Sequence, residues 1–320
     1  MTTTFATAPP VRWPGLDGAP RTRFRLVVVG DVRIELRTEL RDRRFTELTE
    51  DHLGYARLDP IVAGTAVNLA RHATGYFRAI TVVGKIGDDA FTPVIRRCLR
   101  DLGVADRLSA EPGTPNGFSV MLRDRPPAGG RGVRLLVAGE HAPSRRLSAD
   151  DVHRCATALQ RADVLFVDGY SLLSPTSRDG VRAAVRLARA AGTAVAFDLV
   201  PHDIHTRLTR EEVLPILAEA DLILTEAPTV AGLLARPVPL DSAGAHGLLP
   251  ALDEVLRERP GRRPLWFVRF GETHLESTLA YQRDTLLMEY PTGYRAGAQR
   301  TGYGDRLAVS ELYWWLSRGR

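Results

Sequence analysis

Short runs of β-branched and apolar residues recur along this chain, each stopping at or just before a glycine or an acid, and most are followed by a helical pattern. The runs at 26–29, 80–83, 164–167, 194–197, 222–224 and 265–268 lead into Gly30-Asp31, Gly84, Asp168-Gly169, Asp198, Thr225-Glu226 and Gly271. Runs apolar on both faces suit parallel strands that are covered on both sides. Between them, 64–73, 90–102, 148–159, 177–191, 211–218, 229–235 and 248–257 carry helical spacing. Such alternation predicts the α/β class, with a mostly parallel central sheet and helices on both faces. Ligands of such sheets sit beyond the carboxyl ends of the strands, where Asp31, Asp168, Asp198, Glu226 and Gly271 would converge. Two segments, 33–62 and 117–139, break the alternation. The second reads as a hairpin of strands 118–122 and 133–137, and together they predict a small β lid. Residues 278–281 and 285–290 read as an antiparallel pair. Residues 1–23, rich in Thr, Ala, Pro and Arg, read as a mobile arm ahead of one domain over 24–320.

The last helical pattern, 306–316, is preceded by Gln299-Arg300-Thr301-Gly302-Tyr303-Gly304-Asp305. Amides at a helix start lack intrahelical acceptors and attract phosphate or a developing anion. A carboxylate there is ordinarily a first-turn acid; facing a substrate hydroxyl, it takes that hydroxyl's proton while the amides hold the anion.

Charge narrows the function classes. The formal net charge is +5, yet Lys85 is the only lysine, and the arginines are dispersed rather than run together. This pattern argues against a nucleic-acid footprint. Cys98 and Cys155 fall in apolar helical patterns and read as buried thiols rather than as a disulfide or metal site. The sequence has no 18-residue apolar stretch and no apolar signal-peptide core at its start, so the expectation is a cytoplasmic protein without a membrane partner.

The order and spacing of these motifs, from residue 25 to 316, resemble the ribokinase/PfkB family of sugar and nucleoside kinases. The resemblance rests on Gly30-Asp31, Gly64-Thr65-Ala66-Val67-Asn68 and Val82-Val83-Gly84-Lys85-Ile86-Gly87-Asp88-Asp89, then on Leu102-Gly103-Val104, Val167-Asp168-Gly169, Phe197-Asp198 and Thr301-Gly302-Tyr303-Gly304-Asp305. It implies a ribokinase-like fold and ATP-dependent phosphorylation of a sugar, sugar-like or nucleoside hydroxyl. Asp305 would be the general base, with the amides of Gly302, Tyr303 and Gly304 as the anion hole. Asp31, Glu35, Gly64, Thr65, Asn68 and Asp168 would bind the acceptor. Asp198, Thr225, Glu226, Arg269, Gly271, Arg300 and Thr301 would lie on the nucleotide side, with ATP and Mg2+ as cofactors and no resident metal site. An uncovered lid edge would favour a homodimer through the lid strands.

The chain departs from the family pattern at several places. Glu35 stands where relatives carry an aspartate, and Ala63 where they carry a glycine. Gln299 and Arg300 replace an Asp and a Thr, Thr225 and Pro228 replace an Asn and a Glu, and His274 replaces a glycine. The sequence stops soon after the last helix, where relatives add helices beside the adenine. The acceptor half and the base are therefore better kept than the nucleotide half. Two alternatives follow: a ligand-binding member without transfer activity, or different chemistry in the sugar pocket. Arg300 would offer a bidentate guanidinium to phosphate or carboxylate.

Overall fold

Arg25–Val29 (β1) lies in the interior of a nine-stranded sheet, with a parallel neighbour on each side. The computed structural model describes residues 23–40, 43–51, 53–124, 133–201, 203–239, 241–252, 263–295 and 302–318. On one side of β1 follow Ala79–Ile86 (β4) and Ala105–Ala110 (β5). On the other side follow Val164–Asp168 (β8), Ala194–Leu199 (β9), Leu222–Glu226 (β10) and Leu265–Phe270 (β11), all parallel. Ser277–Gln282 (β12) and Thr285–Pro291 (β13) close that side antiparallel. The sheet grows outward from β1 first in one direction and then in the other, so the switch between β1 and β8 leaves a crevice at the carboxyl ends.

Each face has its own apolar layer. Val27, Val29, Leu165, Val167, Val195, Phe197, Ile223 and Val268 point to the face covered by Pro175–Ala190 (α5), Arg210–Leu217 (α6) and Ala227–Leu233 (α7). Their alternates Leu26, Val28, Phe166, Ala196, Leu224 and Phe267 meet Thr65–Ala73 (α1) and the last helix, Tyr303–Ser317. Two residues beyond those alternates, on this second face, stand Gly30, Asp168, Asp198, Glu226 and Arg269. The strand period of two therefore turns an apolar stripe into a polar row at its end.

The interrupting segments form a second sheet of four strands. Arg33–Glu39 (β2) pairs antiparallel with Asp59–Ala63 (β3) and parallel with Phe118–Arg123 (β6), and β6 pairs antiparallel with Arg134–Ala138 (β7). Every residue of β7 is exposed, and its outer edge has no strand partner among the described residues.

Some elements differ from the sequence expectation. β5 escapes the pattern because only Leu108 of its six residues is buried, as suits a polar edge strand. The expected helix over 148–159 divides into Ala149–His153 (α3) and Ala156–Gln160 (α4), with Arg154 and Cys155 between them. The expected helix over 90–102 starts later, as Thr92–Asp101 (α2), because Asp89 turns back to accept the Phe91 N–H (2.8 Å) and the Asn116 N–H (2.8 Å). The weak alternation at 43–48 is a 3-10 turn, Phe45–Glu47. The arm over 1–22, the hairpin tip 125–132, part of the helix expected over 248–257, and Gln299, Arg300 and Thr301 lie outside the described residues.

Candidate active site

Gly64, at the N-terminus of α1, adopts φ +96°, and a Cβ there would come within 2.3 Å of the Asp31 carbonyl. Only glycine lets the loop after β3 pass this close to the end of β1. The contact is fixed by Ala66 N–H donating to that carbonyl at 3.2 Å. Asp31 is 5% exposed; its Oδ2 pairs with Arg33, and its Oδ1 has no hydrogen-bond partner among the described residues. Gly30 gives Asp168 its room, since a Cβ there would lie 2.6 Å from Asp168 Oδ2.

Asp168 and Asp198 sit side by side in the β8–β9 register. Asp168 Oδ1 accepts the Ser171 N–H (2.9 Å) and hydroxyl (3.0 Å), while Oδ2 has no partner among the described residues. Burial pushes Asp168 up to about 6; the Ser171 hydrogen bonds oppose the rise and Asp31 adds to it. Asp198 is driven further, up to about 8, by burial against the pull of Arg269, with Asp305 and Glu226 reinforcing it. Its Oδ1 is likewise unpartnered among the described residues. Unsatisfied buried carboxyl oxygens are costly, so they are ready hydrogen-bond partners for ligand hydroxyls.

The last helix begins over this row. Gly302 takes the left-handed conformation, φ +78°, and turns the chain into Tyr303–Ser317. As the N-cap it has no side chain to cap the amides of Tyr303, Gly304 and Asp305, which helix geometry leaves without intrahelical acceptors. The Tyr303 side chain faces away, donating its hydroxyl to Thr292 O (3.0 Å) and stacking edge-on to Tyr294, which pins the turn. Asp305 stays partly accessible but is hemmed in by protein. Burial lifts it up to about 7 against the opposing charge of Arg269; Asp168 adds to the rise, and Arg37 and Arg71 resist it. A carboxyl half-ionised near neutrality beside first-turn amides can take a hydroxyl proton while the amides hold an anion.

The lid and α1 bring further polar side chains to the same end. Glu35 of β2 holds Arg37 (2.5 Å) and receives the Ser119 hydroxyl from β6 (3.3 Å). Asn68 accepts from Arg71 (3.2 Å), which also donates to Val62 O (2.9 Å). Thr65, beside Gly64, lies close enough to Asp168 to favour its ionised form. Burial, Arg71 and Arg306 together push His72 down to about 4, so this ring beside Gly302 is neutral at pH 7.

A match to the pfkB carbohydrate kinase family model runs over residues 24–250, from β1 through the helices after β10. The chain belongs to the pfkB family of carbohydrate kinases. It is similar to a 5-dehydro-2-deoxygluconokinase from Shouchella clausii (strain KSM-K16), at 29% identity over 93% of this chain and 85% of that protein. Its fold is shared with an adenosine kinase from Anopheles gambiae (TM-score 0.72, 16% identity, 92% of this chain and 90% of that one). A fructokinase from Xylella fastidiosa solved with bound ATP has a TM-score of 0.65 at 16% identity, covering 92% of this chain and 82% of that one.

Of the residues singled out by sequence, Asp31, Glu35, Gly64, Thr65, Asn68, Asp168, Asp198, Glu226, Arg269 and the turn 302–305 gather at one end of this family fold. Thr225 is fully buried, its hydroxyl directed to Leu199 O (3.5 Å) and Glu226 O (3.3 Å). Gly271 (φ +113°) opens a loop wrapped around Glu276, whose carboxylate accepts Thr273 N–H (3.0 Å) and Leu275 N–H (3.2 Å). Arg300 and Thr301 fall outside the described residues. Sequence reading missed Glu311, which is wholly buried and pairs with Arg269 at 2.5 Å. A signal was present: one acid inside the apolar run 307–316, and one arginine inside the apolar run 265–270.

Proposed function

We propose that the protein phosphorylates a hydroxyl of a sugar or sugar acid with ATP, and that 5-dehydro-2-deoxygluconate or a close analogue is the acceptor. The observation carrying this reading is Asp305 itself, partly accessible at the head of the last helix, pushed up to about 7 and ringed by strand-end carboxylates. The relative acting on a sugar acid supports the acceptor class. Arg37 and Arg71, near enough to influence Asp305, supply positive charge beside the acceptor.

In this reading Asp31 and Asp168 use their free oxygens to accept acceptor hydroxyls and orient one of them toward Asp305. Asp305 removes the proton as the oxygen attacks the γ-phosphorus of ATP; the bond from that phosphorus to the bridging oxygen breaks, ADP leaves, and the amides of Tyr303, Gly304 and Asp305 receive the transferred phosphoryl oxygens. Alignment and charge stabilisation dominate such transfers. Among the described residues no group of three or more His, Cys, Asp or Glu is placed to hold a metal ion. Magnesium would arrive on the nucleotide phosphates, as it commonly does, and no step here is assigned to it. Two molecules joined along the exposed β7 edges would make the homodimer expected from the lid.

A coupled ADP-release assay over sugars, sugar acids and nucleosides tests this directly. Turnover with a sugar acid at least tenfold above every neutral sugar and nucleoside is expected; equal or higher turnover with a nucleoside overturns the acceptor assignment. A second reading, a member that binds the acceptor without transferring phosphate, is favoured by Glu276 occupying the amides of the loop after β11. Calorimetry separates the two readings: micromolar ATP binding supports the kinase, and acceptor binding without any nucleotide binding supports the second.

A further inference from the structure

Arg269 is 1% exposed and Glu311 0%, and they meet between β11 and the last helix. Arg269 Nη2 lies 2.5 Å from Glu311 Oε2, and Nε lies 3.5 Å from Oε1. The same carboxylate accepts the hydroxyls of Tyr290 (2.9 Å) and Thr278 (3.5 Å). The other fork of the guanidinium turns toward the catalytic turn: Nη1 lies 3.8 Å from where a Gly304 Cβ would stand. Glu311 is on the same helix as Asp305, so a single fork ties the sheet to the element bearing the base.

We infer that Arg269 is a positioning residue for the transfer step: gripped by Glu311, it locks the 302–305 turn over the strand ends and places a permanent positive charge beneath it. Packing alone does not require such a pair, because well-packed apolar residues of similar volume commonly serve as well or better. The surroundings show what the charge answers. Asp305 faces Arg269 from β11, Asp168 from β8, Arg37 from β2 and Arg71 from α1, with Asp198 of β9 and Tyr170 also within electrostatic reach. Arg37 and Arg71 are half-buried and committed to Glu35 and to Asn68 and Val62, whereas Arg269 is wholly enclosed beneath the turn. Burial alone would lower the Arg269 pKa; Glu311, Asp198 and Glu226 outweigh it, so the charge is never released. Among the charges acting on Asp305 and on Asp198, Arg269 is the largest.

The kinetic half of this inference rests on the kinase reading; its spectroscopic half does not. Carbon-13 carboxyl NMR of aspartate-labelled protein, assigned with Asp305→Asn, follows the Asp305 titration in the wild type, in Arg269→Lys and in two neutral pairs, Arg269→Met/Glu311→Leu and Arg269→Gln/Glu311→Gln. In whichever neutral pair keeps the wild-type circular dichroism, the Asp305 midpoint is expected to rise by about one unit or more, while Arg269→Lys holds it within about half a unit. With the sugar-acid acceptor, the acid limb of kcat/KM should move by the same amount and kcat should fall about tenfold or more. An unmoved Asp305 midpoint in a folded neutral pair overturns the inference, even if stability or kcat has dropped. Absence of any wild-type transfer would count against the kinase reading alone, since the NMR arm still decides the role of Arg269.

Discussion

Asp168, Asp198 and Asp305 share one environment, and burial raises all three, to about 6, 8 and 7. A carboxyl whose folded pKa exceeds its unfolded value near 3.8 stabilises the fold below that value and loses this contribution as pH climbs through the folded pKa. For Asp198 the window runs from about pH 4 to about pH 8. Asp198→Asn imitates the neutral form at every pH, so its stability relative to wild type should grow by at most about 1.4 kcal/mol per pH unit across that window. Thermal melts at pH 5 and 8 measure it; a constant difference would mean that Asp198 is not buried as described. Asp305 titrates in a range where catalysis reports it. As the proposed base it works only when ionised, so kcat/KM should rise with pH and level off above about 7. His72, held down to about 4, is not the source of that limb, and His72→Gln should leave its midpoint in place. A limb that disappears in His72→Gln would reassign the titration.

At the scale of elements, two glycines that start helices behave differently under substitution. Gly64→Ala would add both a positive-φ penalty and a Cβ 2.3 Å from the Asp31 carbonyl. It should cost about 3 kcal/mol or more and raise the acceptor KM, because the end of β1 must move. Among the described residues Gly302→Ala meets only His72 Nε2, at 3.6 Å, and should cost about 1–2 kcal/mol from the left-handed backbone. Urea denaturation of both variants checks the order, and a larger loss for Gly302→Ala would contradict it. These positions also show what the sequence made legible. Gly302 could be read from its place ahead of a helix start, Gly64 only through the family resemblance, and the strand-end acids because each terminated an apolar run. Arg269 was noticed and Glu311 was not, since a lone charge inside an apolar stripe announces that a partner exists without saying where. That partner is supplied only by the packing of the last helix on β11, 42 residues apart in sequence. β5 stayed hidden for the opposite reason: an edge strand with one buried side chain has no apolar run to reveal it.

For the molecule as a whole, the reversal of strand order at β1 opens a crevice, and the helices on the second face bring α1 and the last helix to its rim. The second sheet meets the first through β2, whose Arg33 reaches back to Asp31. Its outer strand β7 is the part least explained by a lone molecule: Leu135, Leu136 and Val137 are 46%, 42% and 53% exposed on an unpaired edge among the described residues. Edges of this kind recruit another strand. Sedimentation velocity should therefore find a dimer that Leu135→Lys/Val137→Lys converts to monomer; a monomeric wild type would remove the lid edge as an interface. The proposed role of Asp305 as the base has one direct readout. Steady-state phosphoryl transfer from ATP to 5-dehydro-2-deoxygluconate by Asp305→Asn, with folding verified by circular dichroism, should fall by about 10²–10⁴-fold in kcat with little change in KM. Wild-type kcat in that folded variant would contradict it.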